Sequence, residues 1–167
     1  MRYRLSCGLL MLALMTCACL AEDAVPAKFY KLDFVVKEME GTKVLNTRSY
    51  SFLTSTQITG PAGAFGGCSI RTGNKVPMAG GGYLDVGVNI DCNDVKETQV
   101  GLSLSVTADI SSIPAESQIP VSGQVIRQNR WRSNVVVPLK KPVVIFSSDD
   151  LTSKRQMQLE LTATPVL

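Results

Sequence analysis

The chain contains no histidine. That absence removes the commonest general base at neutral pH, the commonest metal ligand, and any Ser-His-Asp arrangement. Aromatic residues are scarce, at 6% with a single tryptophan, and no block of basic residues occurs. Nucleic-acid recognition needs a cationic surface and rings on which bases can stack, so a nucleic-acid partner is not expected. After the N-terminal segment there is no apolar run long enough to cross a bilayer as a helix. Glycine-rich stretches do occur, at Met78 to Gly82 and Gly60 to Gly67. Neither lies between a strand and a helix, the setting a phosphate-binding loop requires.

What is present begins with an export signal. Arg2 and Arg4 precede an apolar run from Leu9 to Leu14, and small residues follow as far as Ala21. This three-part pattern predicts a cleaved signal peptide helix over 1–21, with 22–26 as a short linker. The run is too short and too early for a stable membrane anchor. Leu14-Met15-Thr16-Cys17 offers an alternative, lipidation at Cys17, although Thr16 is larger than the residue usual before such a cysteine. The formal charge of +3 includes both signal arginines, so the exported part is near neutral. Of the five cysteines, Cys7, Cys17 and Cys19 lie in the signal, which leaves Cys68 and Cys92. Two cysteines in an exported chain point to one disulfide; the alternative is two buried thiols packed as small apolar groups.

Almost every later segment alternates with period two, as strands with one buried and one wet face do. Tyr30, Leu32, Phe34 and Val36 share a face, and Glu40-Gly41-Thr42 turns the chain into a second run through Phe52, which predicts a hairpin. Residues 57–67, rich in Gly and Ala, read as a flexible loop. Next come CSIRTGNKVP and YLDVGVNIDC. Folding the chain at Gly80 sets Ile70 opposite Ile90, Val76 opposite Leu84 and Cys68 opposite Cys92. One register thus matches both apolar faces and both thiols. Leu102, Leu104, Val106, Ala108 and Ile110 form another apolar face; a strand ending at Val137, a short one from Val143 to Phe146 and a last one through Met157, Leu159, Leu161 and Ala163 complete the pattern. LTSKRQMQLEL could be a short helix by composition, but its period of two favours a strand. The expected fold class is all-β: about eight antiparallel strands in a sandwich or open barrel, as a single domain over 27–167.

Catalytic candidates are thin, and no enzyme activity, cofactor or metal site is expected. Asp91, Asn93 and Asp94 read as a solvated turn rather than a calcium loop, because the glycine and distal glutamate of such a loop are missing. Asp149 and Asp150 likewise read as turn residues. Arg127, Arg130 and Arg132 surround Trp131 and form the candidate partner-binding cluster. On a strand Arg130 and Arg132 fall on one face and Trp131 on the other, so a solvated face opposite a buried indole is the simpler reading.

From Ser69 onward the order of segments resembles that of bacterial secretins. Gly73-Asn74-Lys75-Val76-Pro77 followed by Tyr83-Leu84-Asp85-Val86-Gly87-Val88 is similar to that family's Gly-x-x-x-Pro segment and its aromatic-x-Asp-Val-Gly strand. Leu102 to Ile113 resembles its strand with a Ser-rich end, and Arg127 to Val137 its long strand with an Arg-Asn-x-x-x-x-x-Val-x-Val pattern. Val143 to Ser147 and Met157 to Pro165 would be its closing strands. Secretins are ring-forming outer-membrane channels without catalytic residues. The resemblance implies a structural or assembly role in protein secretion or a pilus apparatus. It also implies protein partners, either secretion components or further copies of the chain in a homo-oligomer, and a place in the periplasm or at the outer membrane. The chain departs from the family at Ser147-Ser148-Asp149-Asp150, where a Gly-Gly is usual, and in lacking room for the α/β ring-building domains ahead of the β region. The alternative is a soluble periplasmic or secreted β-sandwich that binds a ligand or protein unrelated to secretion.

Overall fold

The computed structural model describes residues 27–56, 66–78, 81–113, 126–151 and 153–166. The expected signal peptide, the linker and most of the Gly/Ala loop lie outside the described residues. Eight strands follow one another: β1 (Phe29–Glu40), β2 (Lys43–Ser55), β3 (Cys68–Pro77), β4 (Tyr83–Thr98), β5 (Gly101–Ser112), β6 (Arg127–Val137), β7 (Val143–Asp149) and β8 (Arg155–Val166). The segment around Met157 is strand rather than helix, as its alternation predicts.

The strands form two four-stranded antiparallel sheets, ordered β2-β1-β8-β7 and β3-β4-β5-β6. Followed around the molecule, they run in chain order, and the first and last strands pair over their whole length, from Phe29↔Val166 to Glu40↔Arg155. The fold is therefore a meander bent back on itself. It is opened at two corners, where β2 meets β3 and β6 meets β7 without ladder hydrogen bonds. That arrangement settles the choice between sandwich and barrel: it is a two-sheet sandwich with the strand order of a barrel.

Alternation decides which side of each strand is buried. Tyr30, Leu32, Phe34 and Val36 of β1, Val88, Ile90 and Cys92 of β4, Leu102 to Ile110 of β5 at every second residue, and Leu159, Leu161 and Ala163 of β8 join one apolar core between the sheets. Each large side chain buried there contributes about 1.5–3 kcal/mol relative to exposure. The β3–β4 register is the one read from the sequence, with Cys68↔Cys92, Ile70↔Ile90 and Val76↔Leu84.

The outer faces are polar. Across the second sheet Arg71, Asn89, Asp109 and Arg130 form one cross-strand row, and Ser69, Asp91, Thr107 and Arg132 form the next. Across the first sheet Thr47, Lys37, Gln158 and Ser147 stand side by side. Exposed apolar exceptions gather toward the end where β1 begins: Phe29, Leu53, Val144 and Val166 on the first sheet and Val136 on the second.

Two expectations about turns are corrected. Asp91, Asn93 and Asp94 do not form a turn: β4 continues to Thr98, and the register shifts between Asn93 and Lys96. Asp94 takes a left-handed conformation with φ 55° at this bulge, and Val95 becomes fully buried. The extra residue resets the parity, so that Val95 points to the same side as Cys92 although three positions separate them. Ser147, Ser148 and Asp149 also belong to a strand, with a bulge between Val144 and Phe146. The polar side of β5 is less wet than its composition suggests, since Ser105 and Ser111 are buried.

Candidate functional site

Cys68 and Cys92 are joined as a disulfide across the β3–β4 ladder, with a Cα–Cα separation of 4.8 Å. That spacing is close to the short distance of a non-hydrogen-bonded antiparallel pair, the position where a direct bridge fits. Both cysteines are buried. The bridge stands beside the pinched end of the β2/β3 corner. There Thr56 N–H donates to Lys28 O at 2.8 Å, Thr54 Oγ1 donates to Gly67 O at 3.2 Å, and Gly66 passes over the end of β2. A Cβ at position 66 would lie 1.7 Å from Ser55 O, so only glycine lets the chain cross there. Lys28, at the start of β1, forms an ion pair with Glu97 near the end of β4, which ties the two sheets at this end. That contact holds the Glu97 carboxyl below its ordinary value and Lys28 above its own. The phenol of Tyr30 is pushed up by burial and then by Glu97.

The arginine–tryptophan cluster is divided between two faces of β6. Arg130 lies on the outer face and donates to Asp109 of β5 through Nε at 3.1 Å and Nη2 at 2.7 Å; Gln128 Nε2 donates to the same carboxylate at 2.9 Å. Arg132 shares that face, opposite Thr107, and is exposed with no ion pair among the described residues. Trp131 turns inward and packs edge-on against Phe146 of β7, ring centroids 5.4 Å apart. This aromatic contact fills the β6/β7 corner, where no backbone ladder exists. Arg127 shares the inward parity and forms an ion pair with Asp150 at 3.0 Å, a second tie across the same corner.

Among the described residues the opposite end of the sandwich is open. The β1–β2, β3–β4, β5–β6 and β7–β8 connections all leave from this end, and the inner parity there is polar on β2 and part of β3 while β4 keeps Leu84 and Val86. A cleft of about 630 Å³ opens between the sheets, with Val36, Val88, Ile110 and Met157 on its floor. A smaller cavity of about 280 Å³ adjoins it, lined by Thr72, Gly73, Asn74, Val86 and Gly87; Arg48, Ser111 and Ser112 border both. Strand parity explains the polarity. Arg48 pairs with Val36 and Asn46 with Glu38, so all four carry the inward parity, as do Thr72, Asn74, Arg127 and Asn129; toward this end Asn46, Arg48, Thr72 and Asn74 are solvent-exposed. Most of the rim charge is paired: Arg155 Nη1 with Glu38 at 3.0 Å, and Arg127 with Asp150. Arg48 has neither a hydrogen bond nor an ion pair among the described residues. Alternation of the apolar positions alone does not reveal the cleft. Its signal was the polar continuation of the same parity at Asn46, Arg48, Thr72 and Asn74.

No family model and no curated protein matches the sequence. Solved structures do match the fold. The chain is similar to the type II secretin GspD from enteropathogenic Escherichia coli, with a TM-score of 0.55 and 8% identity over 86% of this chain and 70% of that one. It is also similar to a chain of the Klebsiella pneumoniae type II secretion system outer membrane complex of PulD, PulS and the PulC HR domain. There the TM-score is 0.51 and the identity 9%, over 84% of this chain and 39% of the other. Likeness at such identities is a likeness of fold, and function has to be argued from the sites. The resemblance read from Gly73 to Val88 and onward is thus matched in three dimensions: the fold of this chain is secretin-like.

Proposed function

We propose that this chain is an exported, non-catalytic envelope protein with a structural or assembly role in a secretion or pilus apparatus, acting through contacts with its own copies or with secretion components. The observation that carries the reading is the fold likeness to type II secretins over most of the chain. Three further features support it. The disulfide suits an oxidising compartment outside the cytoplasm. The strand edges at the two corners, which carry no ladder among the described residues, offer backbone groups for pairing with another chain. Arg132, exposed on the outer face and without an ion pair among the described residues, offers a charged contact of the kind interfaces favour. The outer faces, polar apart from the apolar side chains gathered near one end, favour a water-facing domain within such an apparatus over a wall that meets lipid, since a membrane barrel carries an outward apolar band with aromatic girdles.

The second reading, a soluble periplasmic or secreted binding module, is favoured by one observation: the cleft between the sheets. A photo-crosslinking residue at position 132, in cells that carry a working secretion apparatus, separates the two. The first reading expects a crosslink to a secretin, an associated component, or a second copy. Crosslinks confined to proteins outside the apparatus, or to none in cells actively secreting, would contradict it.

A further inference from the structure

The interior of the sandwich carries a second kind of information, independent of the secretion reading. Toward the open end the inner-face parity stays apolar on β4, at Leu84 and Val86, but turns polar on β2 and on part of β3, at Asn46, Arg48, Thr72 and Asn74. There Arg48 occupies a position paired with buried Val36 and neighbours the core-packed Tyr50 on the same strand face. An arginine placed there ties nothing together within the fold. Its charge meets no carboxylate, and no backbone carbonyl accepts from it among the described residues. The other two rim arginines are neutralised by Glu38 and Asp150. Asp149, the remaining rim carboxylate, pairs across the strand with Gln156 on the outer face and accepts from its Nε2 at 2.9 Å. One solvent-exposed guanidinium without a partner among the described residues therefore stands at the rim, between a polar cavity and an apolar floor.

We infer that the cleft binds a small amphiphile whose anionic head meets Arg48 and whose apolar body lies on Val36, Val88, Ile110 and Met157. The volume of about 630 Å³ falls inside the range of small-molecule sites, ~300–1,000 Å³. The mixture of an apolar lining with a few convergent polar groups is also typical of them. The side chains of Thr72, Asn74 and Ser112 border the adjoining cavity and supply donors beside the guanidinium. Ser111 is already committed: Gly87 N–H donates to its Oγ at 3.0 Å, which fixes the back wall. The head is a carboxylate or a phosphate, both of which a guanidinium receives in bidentate fashion.

The test titrates the oxidised full chain with decanoate, decyl phosphate, decanol and acetate, using calorimetry and amide chemical-shift mapping. Decanoate or decyl phosphate is expected to saturate and to shift the amides of residues 46–48, 72–74 and 110–112. The stronger of the two identifies the head. Decanol is expected to bind more weakly and acetate not measurably, because each lacks one half of the recognition. R48Q is expected to weaken the anionic amphiphile about tenfold or more while leaving decanol and the melting temperature unchanged. R71Q, on the outer face and paired with Asp91, is the control and should leave amphiphile binding as it is. The inference is overturned if no amphiphile saturates, if R48Q binds like the parent chain, or if the shifts map to the outer faces.

Discussion

Removal of the Cys68–Cys92 bridge is the perturbation whose size follows most directly from the structure. The two cysteines are 24 residues apart. On the chain-entropy model a closed loop of that length restricts the unfolded chain enough to stabilise the fold by about 3.5 kcal/mol. The bridge also leaves the ladder undisturbed, since the pair sits in register with Ile70↔Ile90 beside it. The double variant C68A/C92A loses two buried sulfurs as well, which raises the expected loss rather than lowering it. At about 3 °C per kcal/mol for a domain of this size, the melting temperature should fall by roughly 10 °C. The assay is thermal unfolding followed by circular dichroism, on the parent chain before and after reduction in denaturant and refolding, and on the double variant. Alkylation of the folded and the unfolded chain, read by mass, counts free thiols. Reactive thiols at Cys68 and Cys92 in the unreduced, unfolded parent would refute the bridge. Equal melting temperatures for parent and double variant would refute the energetic argument even with the bridge present.

Three further outcomes are expected. Asp91 is held below its ordinary value of 3.8 chiefly by Arg71, and Asp33 is also held low: burial would raise it, but Ser51 and Lys31 outweigh that. A depressed carboxylate contributes its stability fully above 3.8 and loses it as pH falls through the lower folded value, so melting temperature should decline below about pH 4 and D91N should flatten that decline. Truncation of Trp131 to alanine should cost about 2 kcal/mol, less than for a fully buried aromatic, and a double-mutant cycle with F146A should return a coupling of about 0.5–1.5 kcal/mol in chemical denaturation. At the β4 bulge, D94G should be neutral or slightly stabilising in the same denaturation assay, while D94V should cost about 1–2 kcal/mol, because a β-branched residue resists the left-handed conformation that Asp94 holds.

The parts of the fold legible in the sequence are those that alternation alone can carry. In β3 and β4 a period of two meets a short glycine turn and a pair of thiols, and these constraints admit a single register. β1, β5 and β8 are equally legible, because each presents several apolar side chains to one core. Asp94 shows the limit of alternation. A bulge inserts one residue and reverses the parity, and a run of Asp and Asn looks the same whether it turns the chain or bends a strand. The Arg127–Arg132 cluster shows another limit. Parity separates Arg130 and Arg132 from Trp131, but the carboxylates that pair with Arg127 and Arg130 come from beyond the end of β7 and from β5, which only the tertiary structure brings near. The cleft is hidden for the same reason. Its polar lining comes from the ends of separate strands, from Asn46 and Arg48 on β2 to Arg155 on β8, and no single stretch of sequence displays them together.

The central claim, that this secretin-like fold serves in the assembly of a secretion or pilus apparatus, is tested most directly by native mass and membrane partition. The chain is expressed with its own N-terminal segment in a bacterium with two membranes, and each cell fraction is sized in mild detergent. The account predicts that the chain sediments with the outer membrane or with a secretion complex and runs as an assembly much larger than one copy. A single soluble copy in the periplasmic fraction, unchanged when the secretion apparatus is present, would contradict it and leave the binding-module reading in its place.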